Sequence, residues 1–263
     1  MSISTASETA ARGFLSPQQI ADYERDGFLY QPAAFSAAEA RELARWVQEV
    51  QDWTEVPGRH MAYYEDSVVR PEQRVLQRIE NFVPYHARFR DLVADRRMLG
   101  AVEQLLGEEA VLFKDKINYK LPGGDGYKPH QDQQAGWGSY APLFMTALVT
   151  VDEQTIENGC LEMAAGHHKG GMVGSEWTPL GDTEMASMRF VPYPTRPGDV
   201  MYFDSFAPHR SQPNRTATPR RVLYITYNAA RHGDHRVQYY VDKRRSFPPD
   251  IEREPGKQYK FRV

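Results

Sequence analysis

Two histidines and an aspartate carry the chemistry most readily seen in this chain. His130 and Asp132 stand two residues apart in Tyr127-Lys128-Pro129-His130-Gln131-Asp132-Gln133-Gln134-Ala135-Gly136-Trp137, and His209 follows much later, with Arg220 and Arg221 beyond it. Two imidazoles and one carboxylate occupy one face of an octahedral Fe(II) ion and leave three positions open, the arrangement used by non-haem oxygenases. In an extended segment residues i and i+2 project to the same side, so His130 and Asp132 reach one ion from one strand or strand end. His209 would arrive from the end of a second strand, with Pro208 fixing its backbone approach. An HxD pair alone is a weak signal in a chain with 8 histidines, and the competing reading is two ordinary surface or core histidines. His167 and His168 read as a loop, His232 and His235 as part of a polar tail, and His60 and His86 as structural.

The elements that must position these residues follow from local pattern. The first 13 residues are small and polar and read as a disordered lead-in. Ser16 and Pro17 open a helix that Gly27 ends, and Ser36 with Glu39 has capping-box spacing before the apolar stripe Ala40, Leu43, Ala44, Val47 and Val50. From Val111 the pattern changes to short β-rich runs, Val111 to Lys120, Leu143 to Val151, Val200 to Phe206 and Val222 to Tyr227. Asn158-Gly159 signals a hairpin, and Gly123, Gly124 and Gly126 predict a mobile loop before the HxD segment. That loop and the C-terminal tail are expected to close over the site. An N-terminal helical layer on a C-terminal antiparallel β-structure follows, as one mainly β domain over residues 1–263.

Composition narrows the partners. A net charge of -3 with dispersed basic residues gives no support to nucleic-acid or anionic-membrane binding. No stretch is long and apolar enough to span a bilayer. Cys160, the single cysteine, excludes an intramolecular disulfide and suits a reducing cytosol, so a soluble cytoplasmic protein acting on a small molecule is expected, with an oligomer possible.

The ordered set His130-Gln131-Asp132, Glu157-Asn158-Gly159-Cys160-Leu161-Glu162-Met163, Gly166-His167-His168-Lys169-Gly170, Pro197-Gly198-Asp199, and His209 with Ser211 and Arg220 resembles the phytanoyl-CoA dioxygenase family of Fe(II)/2-oxoglutarate oxygenases. Cys160 and His167 depart from the family's usual proline and serine there. The resemblance implies a double-stranded β-helix, a jelly-roll relative of the cupins. It implies Fe(II) on His130, Asp132 and His209, 2-oxoglutarate as co-substrate, and O2 at an open iron position. The family's offset names Arg220 for the distal carboxylate of 2-oxoglutarate, a choice over Arg221 that local pattern leaves open, and it places Ser211 and Asn118 beside the same molecule. Related halogenases carry a small residue at the position of Asp132, so an intact aspartate implies a hydroxylase.

In Phe113 to Lys120, alternation sets Phe113, Ile117 and Tyr119 on one face, under the helices, and Lys114, Lys116, Asn118 and Lys120 on the other. Lys116 and Asn118 are expected to point into the barrel mouth and Lys114 to solvent, although an edge strand with all its lysines in water fits the same pattern. Gln133, Trp137 and Tyr140 join Lys116 as candidate substrate contacts, and Tyr127 and Tyr202 as further aromatics that suit an ammonium group. The tail from Gln238 to Glu252 and from Tyr259 to Val263 resembles the family's bacterial organophosphonate hydroxylases, which implies 2-aminoethylphosphonate or its N-trimethyl form as substrate, hydroxylated next to phosphorus. The alternatives are a hydroxylase of another small molecule, such as an amino acid, compatible solute or secondary metabolite, and a non-catalytic jelly-roll binding protein.

Overall fold

The computed structural model describes residues 14–259, so the expected lead-in and the last four residues of the tail, 260–263, lie outside the described residues. Helix α1 (Pro17–Asp26) starts where the sequence predicts: the Ser16 hydroxyl accepts from the Gln19 amide, and the Gln19 side chain returns to the Ser16 amide. Strand β1 (Phe28–Gln31) leads to helix α2 (Ala37–Gln51), where Ser36 and Glu39 close the second capping box. The chain continues through β2 (Met61–Asp66), β3 (Arg74–Glu80), α3 (Ala87–Val93), α4 (Arg96–Leu106), β4 (Ala110–Lys120), β5 (Tyr127–His130), β6 (Phe144–Thr150) and β7 (Leu161–Ala164). It ends with α5 (Asp182–Met185), β8 (Phe190–Tyr193), β9 (Val200–Asp204), β10 (His209–Ser211), β11 (Arg220–Ala229) and α6 (Arg236–Ser246). Among the described residues no helix is long and apolar enough to cross a membrane.

Seven strands pair in the order β1-β9-β6-β11-β4-β3-β2 and four in the order β5-β10-β7-β8, with antiparallel pairing throughout. The large sheet is buried on both faces. Met145, Ala147, Val149, Tyr202, Leu223 and Ile225 turn toward Leu43, Val47, Met98 and Val102 of the helices, whereas Leu148, Met201, Phe203 and Val222 turn toward Leu161 and Met163 of the small sheet. This face-to-face packing of two antiparallel sheets is the double-stranded β-helix expected from the sequence. It also sorts neighbouring residues by parity: Arg220 lies on the inter-sheet face with Val222 and Tyr224, and Arg221 on the helix face.

Several local expectations are corrected. The N-terminal half is not only helical, because β1 joins one edge of the large sheet and β2 and β3 extend the other. Asn158-Gly159 does not close a hairpin, since β6 and β7 belong to different sheets. Asn158 instead folds the connection on itself, accepting from the Thr155 amide and donating to the Glu153 carbonyl. Gly159 is required there by close approach: its φ is 73°, and a Cβ would lie 2.0 Å from the Gln212 carbonyl oxygen. Gly159→Ala is therefore expected to destabilise the protein by about 2 kcal/mol or more in chemical denaturation. The 123–126 loop is tied to its neighbours through hydrogen bonds Gly123 N to Asn214 O, Val68 N to Gly123 O and Asn214 N to Gly124 O. Phe113 leaves the helix face because the β4–β11 register shifts between Thr226 and Tyr227, and its ring packs with Trp137, Phe144 and Tyr239.

Candidate metal centre and cavity

His130 and His209 are direct partners across β5 and β10, with ring centroids 4.3 Å apart. Asp132 opens the 3₁₀ turn Asp132–Ala135 just past β5, and its Oδ1 is 3.8 Å from His130 Nε2. Gln131 between them stays extended and turns away, donating to the carbonyls of Gly171 and Phe206 and accepting from the Val173 amide. One buried carboxamide thus fixes the turn that presents His130 and Asp132 on one side. The potential ligand atoms of His130, Asp132 and His209 all lie within 4.8 Å of one another, the geometry a single ion requires. Among the described residues this is the cluster suited to a metal; His60, His86, His168 and His235 are engaged elsewhere, His86 capping α3 and His168 lying against Tyr23.

Each imidazole is oriented from behind. His130 Nδ1 is 2.7 Å from the Lys128 carbonyl and His209 Nδ1 is 3.0 Å from the Ala207 carbonyl, which puts the proton on Nδ1 and leaves Nε2 as the atom able to bind a metal. Burial lowers the proton affinity of both rings, that of His130 to about 3, so both are neutral donors at neutral pH. Burial alone would raise the Asp132 carboxyl, but His209, His130 and Lys116 outweigh it and keep the group ionised. The turn that delivers His209 is held by Asp204, whose Oδ1 accepts from the Phe206 amide.

Burial pushes the Asp204 carboxyl up to about 6. The folded protein then keeps that proton to higher pH than the unfolded chain does, so stability falls as pH rises from about 4 to about 6 and is level above. Asp204→Asn keeps the acceptor for Phe206 and removes the ionisation. Its stability relative to the parent should rise across that window, by an amount on the order of 1–3 kcal/mol, in denaturant titrations at several pH values.

The remaining site residues fall into two groups. Arg220 is fully buried in β11, its Nε donates to Gln154 Oε1 at 2.9 Å, and neither Nη makes a hydrogen bond. Arg221 forks onto Asp152 at 2.7 and 2.9 Å and reaches Gln48 at 3.0 Å. Ser211 and Asn118 are buried, and Asn118 accepts from the Tyr127 hydroxyl at 3.2 Å. A cavity of about 640 Å³ opens at the metal cluster, lined in part by His130, Asp132, Lys114, Lys116, Trp137 and Tyr140. Gln133 is not on its wall; its carboxamide turns to the Ala141 carbonyl at 3.4 Å. Tyr202 is also absent, lying in the core under the helices. Lys114 faces the cavity rather than solvent, standing over the rings of Trp137 and Tyr239 at 5.2 and 5.6 Å.

Sequence reasoning missed the wall supplied by β3 and α6. Arg78 Nε binds Glu80 Oε1 at 2.8 Å, and Lys243 Nζ binds Glu80 Oε2 at 2.5 Å, all on the cavity. Burial would raise the Glu80 carboxyl, but Lys243, Lys114 and Arg78 hold it well below the usual range. Alternation in Arg74-Val75-Leu76-Gln77-Arg78-Ile79-Glu80 was the available signal for β3; α6 carried none, because its polar residues read as a solvated tail.

The phytanoyl-CoA dioxygenase (PhyH) family profile matches residues 23–222, which span the whole metal cluster and Arg220. The chain belongs to the phytanoyl-CoA dioxygenase family. Among its relatives is a 2-aminoethylphosphonate dioxygenase from an uncultured bacterium, 37% identical over 247 residues and covering 94% of each chain. A methylphosphonate hydroxylase from Gimesia maris is 39% identical over 236 residues, 89% of this chain and 88% of that one. EctD from S. alaskensis, solved with 2-oxoglutarate and 5-hydroxyectoine, has the same fold, with a TM-score of 0.73 and 23% identity over 84% of this chain and 79% of that one. This member of the phytanoyl-CoA dioxygenase family is an iron- and 2-oxoglutarate-dependent oxygenase, the enzyme class expected from the sequence.

Proposed function

We propose that this oxygenase holds Fe(II) through His130, Asp132 and His209, binds the 5-carboxylate of 2-oxoglutarate on Arg220 and Ser211 beside Asn118, and uses O2 to hydroxylate a small organophosphonate at C1. The best single substrate is 2-aminoethylphosphonate or its N-trimethyl form. The chain's donor set fits the iron, with two neutral imidazoles and one ionised carboxylate converging in a buried site. The two unpartnered Nη atoms of Arg220 fit a carboxylate, because a buried guanidinium fork is costly unless an anion completes it. When bound, iron and 2-oxoglutarate supply oxygen activation and C–H oxidation, with succinate as the co-product.

The observation that carries the substrate class is the pair Lys114 and Lys116. Both point into the cavity from β4, and among the described residues neither makes a hydrogen bond or a close ion pair; the carboxylates near them, Glu80 and Asp132, are shared, Glu80 with Arg78 and Lys243. Lys116 rests over Tyr224 and Tyr127 at 4.3 and 5.6 Å. Two enclosed lysines without a close ion pair of their own suit a ligand group of high negative charge density, which a phosphonate group has and a single carboxylate lacks. The relatives that act on 2-aminoethylphosphonate and methylphosphonate support the same class. Lys114 already occupies the faces of Trp137 and Tyr239, so a cationic substrate head would meet Tyr140, anchored by its hydroxyl to Asp242 at 2.8 Å, and the exposed Trp177.

The test is incubation with Fe(II), 2-oxoglutarate and a panel holding 2-aminoethylphosphonate, its N-trimethyl form, methylphosphonate, amino acids and compatible solutes. Succinate release, a mass gain of one oxygen and a C1-hydroxylated product by phosphorus NMR are expected with the first two. Stimulation by a carboxylate or solute, with none by any phosphonate, would overturn the substrate and leave the general hydroxylase. Lys116→Met should raise KM for the phosphonate by about tenfold to a hundredfold, the worth of one charge-assisted hydrogen bond, with less change in KM for 2-oxoglutarate.

A further inference from the structure

Lys120 is a buried lysine that the site described so far does not use. It is 2% exposed, at the end of β4, and it is the direct cross-strand partner of Arg220. Its Nζ donates to Ser211 Oγ at 2.7 Å, to the Gln212 carbonyl at 2.5 Å and to the Gly159 carbonyl at 3.4 Å. Burial and the neighbouring Arg220 lower its proton affinity well below the usual range, but three acceptors, all neutral, surround Nζ, one for each hydrogen of an ammonium.

The consequence falls on Ser211. A hydroxyl offers one donor and two acceptor lone pairs. Both lone pairs of Ser211 Oγ are taken, one by Lys120 and the other by the Tyr127 amide at 3.3 Å. Among the described residues nothing accepts the remaining hydrogen, although the residue is only 6% exposed. Two donors that fill the acceptor side of a hydroxyl leave its proton a single outward direction. Arg220 is constrained in the same way: Gln154 takes Nε and leaves both Nη free.

We propose that Lys120 is a positioning residue for 2-oxoglutarate: it saturates the acceptor side of Ser211 and so turns the hydroxyl proton toward the 5-carboxylate held by Arg220. This rests on the reading of Arg220 and Ser211 as the carboxylate subsite. Lys120 itself does not touch the co-substrate, because its Nζ is directed at Ser211, Gln212 and Gly159. Without it the Ser211 hydroxyl is free to rotate and to donate back to the Gln212 or Gly159 carbonyl, where it no longer serves the carboxylate.

The test is a double-mutant cycle read as the 2-oxoglutarate dissociation constant, measured by calorimetry on Fe(II)-loaded protein under argon, so that binding is observed without turnover. Ser211→Ala is expected to raise the constant about tenfold. Lys120→Met, which keeps the length and apolar stem of the side chain, is expected to raise it by a similar factor in the parent and by less than twofold in the Ser211→Ala background. Equal factors in both backgrounds, or no change in the parent, would overturn the inference while leaving the carboxylate subsite in place. No effect of Ser211→Ala would remove the subsite reading and the inference with it. If Lys120→Met does not fold, the same cycle with Lys120→Gln, which retains a donor for the Gln212 carbonyl, decides between these outcomes.

Discussion

Arg220→Lys is expected to weaken 2-oxoglutarate binding by about tenfold to a hundredfold, whereas Arg221→Lys leaves it unchanged. Both substitutions keep the charge and remove the planar fork, so the contrast isolates what each fork holds. Arg220 has Nε on Gln154 and two buried Nη atoms without a hydrogen bond of good geometry, with the Tyr224 phenol as their neighbour on the same strand face. A lysine there presents one point charge in place of two parallel donors and abandons Gln154. Arg221 has its donors spent on Asp152 and Gln48 on the opposite, helix-covered face, so its replacement should cost about 1 kcal/mol of stability and nothing in affinity. Titration of each Fe(II)-loaded variant with 2-oxoglutarate under argon measures both effects. Equal weakening by the two variants would mean that the strand parity has been assigned to the wrong arginine.

Asp132→Ala and His209→Ala are expected to abolish turnover and to lose stoichiometric Fe(II) binding. The three ligand atoms lie within 4.8 Å of one another, and removal of one leaves an ion held by two side chains in a site whose imidazoles are already deprotonated by burial. Loss of Asp132 carries the further effect of removing the one anionic ligand beside Lys116. The fold should survive both changes, because the orienting contacts run through Gln131 and the Lys128 and Ala207 carbonyls rather than through the metal. Iron content after gel filtration at limiting metal, with far-UV circular dichroism as the control for folding, checks the pair. Wild-type iron occupancy in either variant would remove that residue from the ligand set.

How much of this was legible beforehand depended on the range of the interaction. Capping boxes at Ser16 and Ser36 are satisfied within four residues, so the sequence alone located the starts of α1 and α2. The HxD spacing acts over two residues, and an extended Gln131 suffices to put His130 and Asp132 on one side. The long strands β4, β6, β9 and β11 announced themselves by β-branched and aromatic runs. Failures came where a residue's role depends on a distant partner. Asn158-Gly159 has hairpin chemistry, but the strands on either side pair in different sheets. Phe113 obeys alternation until a register shift turns its ring to the cavity side.

The sequence by itself determined the types and order of the candidate ligand residues, the family and the existence of a β-rich fold behind two capped helices. Only the tertiary structure decided which face each strand presents, because β11 is apolar on both faces and parity becomes meaningful once the helices cover one and the small sheet the other. That packing made Arg220 the arginine with free donors and gave Arg221 to Asp152. It also moved Lys114 from an expected solvent face onto the cavity wall, excluded Gln133 and Tyr202 from it, and brought Arg78 and Glu80 of β3 together with Lys243 of α6 in one buried ion network. Glu80 and Lys243 are too far apart in the chain to carry a local signature of being neighbours; the packing of α6 against the sheet brings them together, and the chemistry of the cavity is set by that assembly.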